Sequence, residues 1–234
     1  MPFYDYYDDL QPTGIGRAWA MTQARNVLAH LRAAHPTAAS LLEIGPGHGS
    51  FALACAQAGL RYTALDVNLR LLQSIQAAGH VGVRARAPRL PITDRRYDIA
   101  FASHVVEHSP SFVDALAFTT ELSRVVAPAG VVALVAPDYL ALREDFWNCD
   151  YSHGFVTTRR RLGQLLRDAG LQVIGDTYIW GPFQGLSGAL AGATLGSRLS
   201  GAVARALPGR AGERLYKARL TFSRAILILG QVPL

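Results

Sequence analysis

The chain has 234 residues, of which 50% are hydrophobic and 17% are charged, so it is expected to fold rather than to remain disordered. Its formal net charge is +6, but residues 196–234 contain seven of the Lys and Arg residues against a single acid, Glu213. Residues 1–195 are therefore neutral, which argues against a nucleic-acid-binding surface spread across the whole protein. The two cysteines, Cys55 and Cys149, are too few for a disulfide framework or a four-cysteine zinc site.

Short apolar runs bounded by glycine or charged residues predict seven strands, which alternate with segments of helical periodicity. Near-continuous apolar strands in such an alternation are typical of a parallel sheet covered by helices on both faces. We therefore predict an α/β fold with a Rossmann-like, doubly wound and mostly parallel seven-stranded sheet, whose last strand is antiparallel. The predicted strands cover residues 40–44, 61–66, 80–84, 97–102, 131–136, 171–180 and 225–230, and the predicted helices cover residues 14–35, 51–58, 69–78, 110–126 and 161–169.

The same pattern predicts one domain that has a helical insertion between its last two strands. Gly188, Gly192 and Gly196 recur every four residues, which places small residues on one helix face. Such a face allows close packing either within the chain or across a homodimer. The predicted parts are an N-terminal aromatic segment and helix (1–35), a core (37–180), a basic helical insertion (181–223) and the last strand (224–230).

The positive charge of the insertion forms a stripe, because Arg210, Arg214 and Lys217 are spaced to share one helix face. A stripe of this kind is typical of contact with an anionic lipid surface, of guidance for an acidic substrate, or of a plain solvated face. The N-terminal sequence MPFYDYYDDL lacks the basic and apolar segments of a signal peptide, so we expect a cytoplasmic protein with the option of peripheral contact with the membrane. The uncharged stretch of residues 177–197 is interrupted by proline and glycines, which argues against a transmembrane helix.

A glycine-rich segment, Gly45-Pro46-Gly47-His48-Gly49, lies between the first predicted strand and its helix. Open parallel sheets bind nucleotide-like ligands at this place. The segment lacks the Gly-Lys-Ser/Thr of a phosphate-binding loop, and Ser50 stands where a dinucleotide fingerprint has Gly or Ala. Glu43 next to the glycines disfavours a pyrophosphate and suits a ligand with an amino group and a sulfonium. Asp66, which ends the second strand, can accept hydrogen bonds from both hydroxyls of a ribose.

Several ordered motifs resemble those of the class I S-adenosylmethionine-dependent methyltransferases. They are LLEIGPGHGSF, YTALDVN, LPITDRRYDIAFASHVVEH, ELSRVVAPAG and VVALVAPDY, and the resemblance covers about residues 37–180. It implies an enzyme that uses S-adenosylmethionine as its cofactor. The cofactor-binding residues that it implies are Glu43, Gly45, Gly47 and Gly49 at the methionine end, Asp66 at the ribose, Val67, Arg86 and Ala87 around the adenine, and Ser103 and His104 beside the sulfonium.

The adenine end departs from the family pattern. The family often has an acid after its third strand that accepts a hydrogen bond from the adenine amino group, and this chain has Arg86 there. A guanidinium cannot accept that hydrogen bond. A non-catalytic methyltransferase-like binding protein is therefore kept as an alternative of another class. The segment 146–153 resembles an aromatic-Asp-Tyr-x-His stretch in methyltransferases of cell-surface polysaccharide and lipid pathways.

Histidines follow the fourth and fifth predicted strands, where a base could act on an acceptor. Methyl transfer to a hydroxyl requires removal of its proton, and histidine is the natural base near neutral pH. We predict His108 or His153 as the base, with Glu107 beside them. The predicted function is O-methylation of a small-molecule, lipid-linked or saccharide acceptor, and the alternative is N- or C-methylation of an amino sugar or a quinone-like ring. The predicted acceptor contacts are Tyr6, Tyr7, Trp147 and Tyr151, with Tyr4 and Trp19 as further members of an aromatic lid.

The segment His104-Val105-Val106-Glu107-His108 also matches H-x-x-E-H, a zinc pattern in which two histidines four residues apart on a helix bind the metal. Here the segment follows a strand, and the sequence offers no obvious segment for a third ligand. We therefore expect no metal. The expected partner is the acceptor molecule and not a nucleic acid, with an anionic membrane and a second copy of the chain left open.

Overall fold

The computed structural model describes residues 13–234. Tyr4, Tyr6 and Tyr7 of the predicted aromatic lid lie outside the described residues. In chain order the elements are α1 (Gly14–Ala34), β1 (Ser40–Ile44), α2 (Ser50–Gln57), β2 (Arg61–Asp66), α3 (Leu69–Ala77), β3 (Val81–Arg84), β4 (Tyr97–Ser103), a 3₁₀ helix (Val106–His108), α4 (Phe112–Val125), β5 (Val126–Pro137), α5 (Tyr139–Leu142), α6 (Asp145–Asn148), α7 (Arg159–Asp168), β6 (Gln172–Ile179), α8 (Gly185–Thr194), α9 (Arg198–Ala206), α10 (Gly209–Phe222) and β7 (Ala225–Gln231).

The strands form one seven-stranded sheet in the order β3-β2-β1-β4-β5-β7-β6. The first five strands in this order are parallel, and β7 pairs in antiparallel fashion with both β5 and β6. The predicted fold class is therefore confirmed, including the antiparallel last strand. The strand order reverses between β1 and β4, and the carboxyl ends of these two central strands form the crevice in which open α/β sheets bind ligands.

Two hydrophobic layers, one on each face of the sheet, make up the core. Helices α1, α2 and α3 pack on one face, and α4 and α7 pack on the other. Alternate residues of β1 serve the two layers, since Leu41 belongs to the first and Leu42 to the second. All five residues of β1 are buried, as expected for a central strand covered on both sides.

The predicted start of β5 is wrong by five residues. The sequence Val126-Ala-Pro-Ala-Gly130 looks like a turn before a strand at Val131, yet β5 begins at Val126. Its pairing with β4 shifts register between Tyr97 and Ile99, so an irregularity in the ladder accommodates the extra residues. Gly130 is needed there because a Cβ would lie 2.6 Å from the Asp98 carbonyl oxygen. The short helices α5 and α6 were not predicted either.

Helices α8, α9 and α10 form the insertion between β6 and β7, as predicted. The three glycines spaced by four residues pack inside the chain. A Cβ at Gly188 would lie 2.7 Å from Cε3 of Trp180, and one at Gly196 would lie 2.6 Å from the backbone carbonyl carbon of Phe222. The glycine face is therefore explained by packing within the chain, without a second copy.

Three of the seven cations in residues 196–234 are not part of a basic surface. Arg219 and Arg205 form ion pairs with Asp145, and Arg224 pairs with Asp138. These pairs join the end of the chain to the loop that follows β5. Part of the positive charge near the end of the chain therefore holds the fold together, and Arg210, Arg214 and Lys217 of the predicted stripe do not belong to these pairs.

Residues 177–197, whose proline and glycines argued against a transmembrane helix, contain the end of β6 and the short helix α8. In the described part of the chain, none of the helices combines the length and the apolar character needed to cross a bilayer.

Candidate active site

The glycine loop at the end of β1 is shaped by left-handed backbone conformations. Gly45 and Gly49 have φ angles of +73° and +79°, which L side chains rarely adopt. A Cβ at Gly45 would lie 2.9 Å from Cγ2 of Val105, so the glycine loop touches the loop after β4. At Gly47 (φ +51°) a Cβ would have open space around it. Gly49 is the N-cap of α2 and supplies no side-chain hydrogen bond, so the loop leads into an N-terminus without a side-chain cap.

Glu43 lies within β1 and is only 3% exposed. It accepts a hydrogen bond from the Tyr62 hydroxyl. Burial raises the pKa of its carboxyl to about 8, against the lowering effect of the Tyr62 hydrogen bond, and nearby Asp66 adds to the rise. Burial thus favours the protonated form of this carboxyl, which the sequence argument for an anion beside the glycines did not take into account.

Asp66 is half-buried at the end of β2. One of its carboxylate oxygens, Oδ1, accepts a hydrogen bond from the Asn68 backbone amide over 2.7 Å. Burial raises the pKa of this carboxyl. Val67 beside it is 38% exposed. The backbone carbonyl of Asp66 binds the amide of Ala85, which brings the segment after β3, with its exposed Arg86 and half-buried Ala87, next to the predicted ribose site.

The end of β4 places His104 at the edge of the crevice, directly after the half-buried Ser103. Its φ of +56° is unusual for a residue with a side chain, and its backbone amide donates to the Val135 carbonyl over 2.8 Å. The imidazole Nδ1 lies 3.2 Å from Oε1 of Glu107, and the two side chains are 49% and 0% exposed. Partial burial lowers the pKa of His104, but the hydrogen bond and negative charge of Glu107 outweigh this effect, and the net pKa is raised.

The zinc-protease geometry is absent from this segment. His104 lies outside the 3₁₀ helix Val106–His108, so His104 and His108 are not successive turns of one α-helix. Instead, Glu107 and His108 come together with His153 from the loop after α6. One potential ligand atom from each of these three residues lies within 4.8 Å of the others. The rings of His108 and His153 have centroids 4.8 Å apart.

Two residues that the sequence reasoning missed support this cluster. Nδ1 of His108 lies 2.9 Å from the Ser152 hydroxyl oxygen, and that hydroxyl donates to Asp150 over 2.6 Å. The backbone amide of Ser152 also donates to Asp150 over 2.9 Å, which forms a tight turn. The sequence signal was an Asp two residues before a Ser, a common turn pattern that by itself points to no partner. Burial is the main cause that lowers the pKa of His108.

The residues predicted to contact the acceptor differ in exposure and in the groups that they contact. Trp147 is 44% exposed, and its indole nitrogen donates to the His153 carbonyl over 3.0 Å, so it supports the loop that carries His153. Tyr151 is 73% exposed. Tyr6 and Tyr7 lie outside the described residues. Trp19 packs edge-on against Phe222 with ring centroids 5.4 Å apart, so it contacts the insertion.

Comparison with known proteins identifies the family of this site. Residues 17–175 match the family model described as "Methyltransferase domain", which is more than half of the chain. The chain belongs to the methyltransferase family. Its fold is that of the class I S-adenosylmethionine-dependent methyltransferases, and S-adenosylmethionine is the cofactor of this class.

Among curated methyltransferases, a malonyl-[acyl-carrier protein] O-methyltransferase of Pseudescherichia vulneris is 41% identical over 98 residues, which is 41% of this chain and 38% of that protein. The chain thus spans well under half the length of this relative. Among solved structures, geranyl diphosphate methyltransferase in complex with S-adenosylmethionine superposes with a TM-score of 0.62 at 16% identity, covering 91% of this chain and 85% of that one. The [4+2]-cyclase SpnF also gives a TM-score of 0.62, at 15% identity, covering 90% and 81%. At these identities the structures show a common fold.

The residues of this methyltransferase fit the cofactor. The open space at Gly47 would let a ligand approach the backbone closely, and the start of α2, which has no side-chain cap, would offer amide groups to a carboxylate. Asp66 offers a carboxylate at the end of the neighbouring strand, as ribose binding requires. The exposed Arg86 offers no acceptor for an adenine amino group.

Proposed function

We propose that this methyltransferase transfers a methyl group to an oxygen atom of a small-molecule, lipid-linked or saccharide acceptor. The observation that carries this proposal is the pair formed by His104 and Glu107 at the edge of the cofactor crevice. S-adenosylmethionine supplies an electrophilic methyl group on a sulfonium, which the acceptor oxygen displaces directly. The O-methyltransferase named among the relatives supports oxygen as the methylated atom.

In this proposal His104 is the base, rather than His108 or His153. His104 is 49% exposed, whereas His153 is 8% exposed and its Nδ1 is bound to the Phe146 carbonyl. The carboxylate of Glu107 accepts the Nδ1 proton of His104, which leaves Nε2 to take the proton of an acceptor hydroxyl. Glu107 acts through His104 and is a positioning residue. Val105, the residue after His104, lies close to Gly45 of the glycine loop, so His104 is near the predicted cofactor loop.

Cofactor binding is the first test of the proposal. The Asp66→Asn variant is expected to bind S-adenosylmethionine about 10-fold to 100-fold more weakly, because a hydrogen bond to a charged group contributes about 1.5–3 kcal/mol. Isothermal titration calorimetry measures this change. The matched control is Asp168→Asn, an exposed position on α7, which should leave the affinity unchanged. Absence of cofactor binding by the wild-type protein at millimolar concentration would overturn the enzymatic proposal.

We further propose that the insertion rests on an anionic membrane, which would bring a lipid-linked acceptor to the crevice. Six large apolar side chains of α8, α9 and their flanking residues are 41–78% exposed, and we call them the leucine surface. Exposed large apolar side chains that recur along one part of the chain mark a candidate interaction site. Arg210, Arg214 and Lys217 on the following helix are not part of the ion pairs that hold the insertion. The leucine surface consists of Leu186, Leu190, Leu195, Leu199, Val203 and Leu207.

Vesicle sedimentation tests this second proposal. The wild-type protein is expected to sediment with phosphatidylcholine vesicles that contain about one third phosphatidylserine, and to be released by about 0.5 M salt, since screening weakens the attraction of cations to lipid. The double variant Leu186→Asn/Leu199→Asn should bind at least about tenfold more weakly, because burial of a leucine contributes about 1.5–3 kcal/mol.

The matched control for the vesicle experiment is Leu53→Asn/Val113→Asn, which removes two exposed apolar side chains from other helices. This control should sediment like the wild type. Equal binding by the two double variants would contradict the proposal. So would a wild-type dimer in analytical ultracentrifugation that the Leu186→Asn/Leu199→Asn variant abolishes, because a second copy would then cover the leucine surface.

A further inference from the structure

A buried carboxylate oxygen behind the proposed base has no hydrogen-bond partner among the described residues. Glu107 is 0% exposed, and while its Oε1 binds His104, its Oε2 is buried without a partner. Leaving such an atom unsatisfied costs free energy, so it demands a proton donor or a cation. His108 and His153 each place a ligand atom within 4.8 Å of the Glu107 carboxylate and of each other.

The hydrogen bonds of the two imidazoles indicate which ring nitrogen carries the hydrogen. Nδ1 of His153 lies 2.5 Å from the Phe146 carbonyl, which can only accept, so this nitrogen carries the hydrogen. The Ser152 hydroxyl donates its hydrogen to Asp150, so its oxygen accepts from Nδ1 of His108. With one hydrogen on each ring, the lone pair of each imidazole is then on Nε2. Metal-binding histidines typically have this support, with the other ring nitrogen bound to a carbonyl or a carboxylate system.

We propose that Glu107, His108 and His153 form a binding site for a divalent transition metal ion of the zinc class. Two imidazoles and one carboxylate are a borderline-soft ligand set that suits Zn²⁺, whereas Mg²⁺ and Ca²⁺ prefer oxygen ligands throughout. Three protein ligands leave a fourth position for a water molecule or for an oxygen of the acceptor. The sequence offered no obvious segment for a further ligand beside the H-x-x-E-H pattern. His153, which lies 45 residues after His108 and does not belong to that pattern, is that further ligand.

Binding requires the three ligand atoms to move closer together. In a tetrahedral site with bonds of about 2.0–2.2 Å, the ligand atoms lie about 3.3–3.6 Å apart, so the widest pair has to close by roughly 1.2–1.5 Å. The two loops are already in contact, because a Cβ at Gly154 would lie 2.5 Å from the Ser109 carbonyl oxygen. An ion at this site would fasten the loop after β4 to the loop after α6. The inference does not rest on methyl transfer, since the same groups would bind the ion without cofactor or acceptor.

Metal binding is tested directly on the full chain, stripped with chelator, with Co²⁺ and Zn²⁺ as the probes and without cofactor. We expect one Co²⁺ per chain, visible absorption bands of a low-symmetry Co²⁺ site, and displacement of Co²⁺ by Zn²⁺. The variants Glu107→Gln, His108→Gln and His153→Gln should each bind Co²⁺ at least about 100-fold more weakly. The controls His104→Gln and His30→Gln should still bind one ion, and retention by His104→Gln separates this site from the H-x-x-E-H pattern.

The side chain of His153 is buried, so circular dichroism is used to check that the His153→Gln variant is folded. The His108→Gln variant, at a half-buried position, is the second test. Less than about 0.1 Co²⁺ per wild-type chain at 100 μM free ion would overturn the proposal, and a proton shared between Glu107 and an imidazole would then satisfy Oε2. Equal Co²⁺ binding by the wild type and the folded His108→Gln variant would overturn it as well. Because cofactor binding is measured separately, the failure of this inference and the failure of the proposed function are distinguishable.

Discussion

Replacing Arg219 with methionine is expected to lower the free energy of unfolding by about 3–5 kcal/mol, because it leaves the charge of Asp145 buried and unpaired. Arg219 and Asp145 are 2% and 1% exposed, and Nε of the guanidinium lies 2.7 Å from Oδ2 of the carboxylate. Breaking such a pair is costly, since the remaining charge has lost the partner that compensated its removal from water. The second cation near Asp145, Arg205, is 3.4 Å away and 48% exposed, so it compensates less.

Arg219 also serves the backbone of the insertion. Its Nη1 donates to the carbonyls of Gly196 and Ser197, over 2.9 and 2.8 Å, and its Nη2 donates to the carbonyl of Leu142 over 3.2 Å. These carbonyls belong to the junction between α8 and α9 and to the end of α5. One side chain thus joins the insertion to the loop that follows β5. Loss of these bonds is the second reason for the large expected effect.

Urea unfolding followed by circular dichroism measures the change, and the wild-type slope should be retained. The matched control is Arg214→Met on the same helix, which removes an exposed arginine and should change the free energy of unfolding by less than about 0.5 kcal/mol. The double variant Asp145→Asn/Arg219→Met should lose less than the sum of the two single variants, because the pair couples. If Arg219→Met and Arg214→Met lowered the free energy of unfolding by similar amounts, the prediction for the buried pair would be wrong.

Most of the sheet could be predicted because the boundaries of its strands are determined by neighbouring residues in the sequence. Residues 40–44 are apolar apart from one serine and one glutamate, and glycine and proline end the strand, so its boundaries needed no knowledge of other strands. The start of β5 could not be predicted in this way. Val126 becomes strand because of its pairing with Tyr97, and the irregular register beyond that pair depends on the partner strand.

The residues of the candidate site also fall into those that local motifs predict and those that depend on distant partners. The glycine loop and Asp66 follow from motifs in which neighbouring residues carry the signal. The partner of Arg219 could not be foreseen, since Asp145 is 74 residues away and arginines on a surface and in a core look alike in a sequence. The same is true of His108 and Ser152, which are 44 residues apart. Long-range polar contacts of this kind also show that part of the positive charge near the end of the chain forms ion pairs within the protein.

The electrostatic argument for Glu43 likewise depends on the packed structure. A carboxylate beside a glycine loop was expected to attract a cation, and that expectation assumed an ionised group. Burial and the neighbouring Asp66 raise its pKa to about 8 despite the Tyr62 hydrogen bond. A sequence states that an acid is present, but its charge at pH 7 depends on solvation that only the packed structure determines.

The His104→Ala variant is expected to lower kcat by about 10²–10⁴-fold while changing the dissociation constant of S-adenosylmethionine by less than about threefold. The reason is that proton removal from a hydroxyl acceptor is needed during transfer and not during cofactor binding. The rate of S-adenosylhomocysteine formation with a hydroxyl acceptor measures the first quantity, and calorimetry measures the second. His30→Ala, a half-buried histidine on α1, is the matched control and should leave both unchanged.

The size of the loss discriminates between acceptors as well as between bases. A carboxylate oxygen is already deprotonated at neutral pH, so its methylation needs no base, and His104→Ala would then lose less than about tenfold. With a hydroxyl acceptor, a loss that small would remove His104 from the catalytic role. A large loss in the folded His108→Ala variant, with His104→Ala nearly unaffected, would instead move the base to His108. Only a loss confined to His104→Ala agrees with a base held by Glu107 at the carboxyl end of β4.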